Sequence, residues 1–171
     1  MGELEKIASA KVQASSSEII AKLRQEMEAL HRRHSVTGMG GGTIVESQAI
    51  CVRALEAQGA AITTHFNWVL EEGLWTYRSE VEKFVNQGRD HLTPVLQTSR
   101  ELMKLATDRA SSANLLPRFI AELDSARDRV WTNIDLALRS TAAQSKRRSI
   151  RGVWQSAVNW ITKLFGLSKG A

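Results

Sequence analysis

A chain of 171 residues offers about one domain's worth of core, and two Pro among many Ala, Leu, Glu, Lys, Arg and Gln favour helix, where these side chains lose little rotamer freedom. The net charge of +5 is uneven: no acid follows Asp135, while Arg139, Lys146, Arg147, Arg148, Arg151, Lys163 and Lys169 do, so 1–135 is left near −2 and the tail is the basic pole. Cys51 is the one cysteine, which excludes an intrachain disulfide and favours a reducing compartment.

Met1-Gly2-Glu3-Leu4-Glu5 lacks the apolar run of a signal peptide, and Lys6 stands where N-myristoylation needs Ser or Thr. Leu4, Ala8, Val12, Ile19, Leu23, Met27 and Leu30 then recur at helical spacing. Ser15-Ser16-Ser17 weaken the pattern: either one long helix runs through them, or Ser17 caps a second helix starting at Glu18, and helix is expected over 18–34. Gly38, Gly40, Gly41 and Gly42 make 36–43 a flexible hinge or linker, after which Thr43 caps the next helix with Glu46 at the capping-box spacing.

From there Ile44, Cys51, Val52, Leu55, Ile62, Phe66, Val69 and Leu70, with Gln48 and Gly59 on the same face, define a strongly amphipathic helix. Either Gly73 ends it, or one bent helix continues through Tyr77, Val81 and Phe84 to about Gln87. Gly88 then stops it. Thr93-Pro94 reads as a cap followed by a first-turn proline, opening a helix whose face is Val95, Leu96, Leu102, Met103, Ala106 and Ala110. Ser111-Ser112-Ala113-Asn114 is a turn. Pro117 opens the next helix in the same way, with the face Phe119, Ile120, Leu123, Ala126, Val130, Ile134, Ala137, Leu138 and Thr141.

Helices of this kind with short connections predict an all-α fold: an elongated helical bundle or coiled coil of three to four long amphipathic helices plus a C-terminal amphipathic helix. The expected divisions are an N-terminal helical segment (1–35), the Gly-rich linker (36–43), the bundle body (44–145) and a basic amphipathic tail (146–171). Single apolar stripes are buried most completely against other helices, so association with itself as a homo-oligomer is expected.

On a helix at about 100° per residue, Ile150, Val153, Trp154, Ala157, Val158, Trp160, Ile161, Leu164, Phe165 and Leu167 fall within roughly half the circumference. Arg151, Gly152, Gln155, Ser156, Asn159, Thr162 and Lys163 fill the other half. Such a face needs cover. An anionic membrane or apolar granule surface would take the large side chains, with Lys146, Arg147, Arg148, Arg151 and Lys163 near its anionic groups. In a second reading the same face docks on the bundle itself or in a partner-protein groove. Nucleic acid is disfavoured, because the aromatics form one apolar face and are not interleaved with the charges. The tail has too many polar residues in too short a run to span a bilayer. A cytoplasmic protein attached peripherally is expected, and pore formation would need insertion of the body as well.

No residue pattern here specifies a reaction, so no enzyme activity, catalytic residue, cofactor or metal is expected. Glu28-Ala29-Leu30-His31 fits half of a di-metal carboxylate motif, but Arg32 and Arg33 oppose a cation. His31 and His34 read as solvent or anion contacts, His65 as a packed histidine, and His91 as a turn residue. The glycine run lacks the Lys-Ser/Thr of a phosphate loop and follows a helix where a strand is needed. Cys51 falls on a buried face and behaves there as a small hydrophobe. Arg32-Arg33-His34-Ser35 and Lys146-Arg147-Arg148-Ser149 resemble basophilic kinase sites. A phosphate on Ser149 would offset the basic collar and weaken attachment to an anionic surface.

Glu46-Ser47-Gln48-Ala49 through Leu55-Glu56-Ala57-Gln58-Gly59, Arg100-Glu101-Leu102-Met103-Lys104-Leu105-Ala106 and Asn133-Ile134-Asp135-Leu136-Ala137 resemble phasins, small helical proteins that coat bacterial polyester granules. The likeness is one of Ala- and Gln-rich helices of similar length and order over 44–145. It implies a non-enzymatic coat protein on an apolar polymer. The tryptophans and the basic tail depart from the family pattern.

Overall fold

A computed structural model of the chain describes residues 2–35, 41–72 and 78–164, with Ser35, Arg78 and the stretch from 146 onward as backbone only. Four α-helices account for nearly all of it: α1 (Gly2–Ser35), α2 (Gly41–Glu72), α3 (Arg78–Arg109) and α4 (Leu116–Leu164), with a 3-10 turn at Ala113–Leu115 before α4. The protein is an all-α four-helix bundle of long packed helices. Ser111 turns the chain between α3 and α4 with a φ of 51°, a left-handed conformation that a serine holds at some cost.

Cross-helix contacts fix the directions. Gln58 reaches the His91 carbonyl and Phe66 stacks on Phe84, with ring centroids 5.2 Å apart, so α2 and α3 are antiparallel. Arg53 pairs with Glu26, and Lys11 lies over the Trp68 ring, so α1 is antiparallel to α2. Gln48 bonds Glu122 while Gly59 faces Val130, so α2 and α4 run the same way. The bundle is therefore up-down-up-down, the order that short connections favour. Among the described residues α2 touches each other helix, whereas α1 and α4 do not touch. In cross-section this makes a rhombus whose short diagonal is α2 and α3.

The apolar stripes form one core. Phe66, Phe84, Leu23, Met27, Leu30, Ile44, Leu55, Ile62, Leu70, Leu92, Met103 and Leu123 are fully buried. Each such side chain contributes about 1.5–3 kcal/mol by leaving water. This outweighs several unfavourable local signals, and four expectations change as a result.

Helix α1 is unbroken through the serines. Ser17 does not cap a second helix; its hydroxyl bonds the Gln13 carbonyl one turn back, satisfied without leaving the helix. Helix α2 starts at Gly41, so Thr43 is inside its first turn, buried, with its carbonyl accepting from Ser47 Oγ at 2.8 Å. The expected hinge residues 36–40, and Gly73 and Tyr77, lie outside the described residues.

Helix α3 runs through both Gly88 and Thr93-Pro94. Gly88 is not a stop. A Cβ there would stand 3.0 Å from Ile62 Cγ2 and 3.5 Å from Ile134 Cγ2, so the glycine lets three helices meet. Pro94 is not at a helix start, although an interior proline typically costs about 3 kcal/mol. It sits on the exposed side with Asp90, whose carbonyl loses its amide partner where water is at hand. Beside it Thr93 Oγ1 donates to the Arg89 carbonyl and buried Gln58 Nε2 to the His91 carbonyl, at 3.2 Å each.

Candidate functional site

Helix α4 is 49 residues long, against 32 for α2 and for α3. Because α2 lies parallel to it with Gln48 beside Glu122 and Gly59 beside Val130, the last residue of α2, Glu72, is level with about residue 145 of α4 at the common rise of 1.5 Å per residue. The first residue of α3, Arg78, reaches the same level, since Arg100 pairs with Asp124 and Gly88 faces Ile134 in the antiparallel direction. The helical backbone from 146 to 164 is thus an extension past the end of its two partners.

Ile150, Val153, Trp154, Ala157, Val158, Trp160, Ile161 and Leu164 belong to this extension, as do Lys146, Arg147, Arg148, Arg151 and Lys163. Phe165 and Leu167, and the cover of all these side chains, lie outside the described residues. Ser145-Lys146-Arg147-Arg148-Ser149 does not break the helix.

Within the bundle the polar side chains are arranged around packing. Cys51 is fully buried; burial pushes its thiol up to about 12, against a weak opposing contact to the Ser99 carbonyl at 3.8 Å. His31 is buried, contrary to the expected solvent contact. Arg109 Nη1 lies 2.7 Å from its Nδ1, and since a guanidinium only donates, the ring is neutral with its proton on Nε2, which is buried with no partner among the described residues. Burial first and Arg109 second hold its pKa below the ordinary value. His34 lies 3.9 Å from Glu46.

His65 is partly buried, and His91, expected in a turn, lies inside α3 with its ring 6.1 Å from that of Phe66; burial lowers the pKa of both. Lys11 adds to the lowering at His65, and Asp90 opposes it at His91. Among the described residues no group of three or more His, Cys, Asp and Glu is placed to hold a metal ion, so Glu28 and His31 gain no companions. No helix among them is long and apolar enough to cross a membrane.

One feature of the body escaped the sequence reading: an open groove between α3 and α4, lined by Arg89, Leu92, Thr93, Leu96, Arg100, Arg127, Asp128 and Trp131. It draws on residues some 30 to 40 positions apart, and no local motif announces it. No family model, no curated protein and no solved structure matches the chain.

Proposed function

We propose that the protein is a non-enzymatic helical scaffold, coat or adaptor that attaches to an anionic lipid surface or an apolar polymer surface through the extension of α4. The observation that carries this reading is that α4 continues as helix to Leu164 after α2 and α3 have ended. Counted at about 100° per residue along one unbroken helix, the apolar half of the tail sequence is centred roughly half a turn from the buried stripe of Leu123, Val130, Ile134 and Leu138. A segment with that phase does not prolong the bundle's own seam, which supports cover from outside the subunit. Resemblance of 44–145 to phasins is of the same kind and extends the candidate surfaces to polymer granules.

On an anionic leaflet each basic residue near the surface adds about 1 kcal/mol, screened by salt, beyond the burial of Trp154, Trp160, Ile161 and Leu164. Co-sedimentation with phosphatidylcholine vesicles containing phosphatidylglycerol tests the proposal, using the full chain and a chain ending at Ser145. Sedimentation of the full chain alone, weakened by salt, is the expected result. Equal sedimentation of both chains, or of neither, overturns lipid attachment through the tail and moves the same helix to a partner-protein groove. Leakage of trapped dye would instead reassign it to pore formation.

A further inference from the structure

Leu136, on the outer side of α4, is the most exposed large apolar side chain among the described residues, at 61 %. A single exposed leucine is ordinary, but the register of this one is not. Helix α4 is unbroken from Leu116 to Leu164, and every seventh residue from Leu136 is apolar: Ala143, Ile150, Ala157 and Leu164. Positions seven apart drift by only about 20° per step, so these five share an arc of about 80° on the side away from Leu123, Val130, Ile134 and Leu138. The apolar stripe of the extension therefore begins within the bundle and runs for about 42 Å at 1.5 Å per residue.

Charge on this side of the bundle is also of one sign. Asp128 bonds Arg127 at 2.9 Å, and Asp135, the last acid of the chain, accepts from Arg139 Nε at 2.8 Å. Arg129 falls near the same azimuth, is exposed and has no partner among the described residues. Helix α4 touches α2 and α3 but not α1 and so stands at a corner of the rhombus. A flat surface can lie along that corner without first meeting another helix.

We infer that the attachment surface continues from the tail onto the bundle along the outer side of α4, where an anionic lipid leaflet takes Leu136 into its interface and Arg129 to its phosphates. The inference rests on the attachment proposed above and adds to it these body residues. It lays the bundle on the membrane along α4, instead of leaving it to stand off at the end of the tail. Charge selects the occupant. No acid follows Asp135, so a second copy laid along this stripe would bring basic residues against basic residues, whereas anionic lipid neutralises them.

The test uses vesicles of phosphatidylcholine and phosphatidylglycerol with the full chain carrying a nitrobenzoxadiazole fluorophore at Leu136→Cys. The same fluorophore at Leu105→Cys, an exposed position on α3, is the reference, and Cys51 is buried and stays unlabelled. On vesicle addition the emission at 136 should brighten and move to shorter wavelength, while that at 105 stays as in water. Unlabelled Leu136→Gln should bind the vesicles about tenfold more weakly and Arg129→Gln about fivefold. Arg24→Gln, exposed on α1, should bind like the parent. Sedimentation with the emission at 136 unchanged, or a Leu136→Gln chain that binds like the parent, overturns the inference and leaves attachment through the tail standing. A parent chain that does not sediment with the vesicles overturns both. A shift at 136 that needs no vesicles and grows with protein concentration also overturns the inference and assigns the stripe to a second copy.

Discussion

Replacing Gly59 with alanine sets two opposed effects against each other at one site. In the middle of α2 the change should stabilise helix by about 0.5–1 kcal/mol, because glycine has more backbone freedom to lose on folding. The added Cβ, however, would collide with Val130 Cγ1, with Ile134 Cδ1 behind it at 3.9 Å, in a buried seam between α2 and α4. Overpacking of this kind costs about 1–3 kcal/mol, so the net expectation is a loss of about 1–2 kcal/mol. For a domain of this size that is a fall in Tm of about 2–8 °C.

Urea unfolding followed by helical circular dichroism measures the difference directly. Two further variants make it diagnostic. Gly42→Ala meets nothing within 4 Å and should be neutral or stabilising. Val130→Ala removes the obstructing methyl groups, so the double variant should be more stable than the sum of the two single losses by on the order of 1 kcal/mol. A Gly59→Ala protein as stable as the parent, with strictly additive Val130→Ala, would refute the close approach of α2 and α4.

Acid should destabilise the bundle in two stages. His31, His65 and His91 have folded pKa values below the ordinary 6.5, so the unfolded chain takes up protons first; stability is full above 6.5 and is lost as pH falls through that value toward the folded ones. Glu5, held low by hydrogen bonds from Lys83 and Gln87, and Glu122, held low by Gln48 and Arg118, add a second loss below the ordinary 4.5. Thermal melts between pH 8 and 3.5 check both, and a Tm unchanged from pH 7.5 to 5.5 contradicts the histidine part. Cys51, buried and with its thiol pushed up to about 12, should react with a disulfide reagent at pH 8 at least a hundredfold more slowly in the native protein than in denaturant. Comparable rates would place the thiol outside the core.

The apolar stripes were legible because burial repeats with the helix: Ala8, Val12, Leu23, Met27 and Leu30 on α1, and Phe119, Leu123, Val130, Ile134 and Leu138 on α4, all lie in the core. What misled was punctuation. Gly88 carries the local signal of a helix end, yet its use is long-range, to admit Ile62 and Ile134. Pro94 carries the local signal of a helix start, and the burial of Leu92, Val95, Leu96 and Ser99 around it outweighs that signal. His31 looked solvated beside Arg32 and Arg33 because its partner, Arg109, is 78 residues away. The same distance effect hid Arg89, Arg100, Arg127 and Trp131, which become neighbours only when α3 folds back along α4. The tail was the most readable stretch as a pattern, and the cover of its side chains lies outside the described residues.

Because one rod serves both the bundle and the segment beyond it, there is no swivel between them. Whatever seats that segment also sets the roll of the whole molecule. In the proposed attachment a flat substrate would meet the extension of α4, and α1, which does not contact α4 among the described residues, would be the helix left farthest from it.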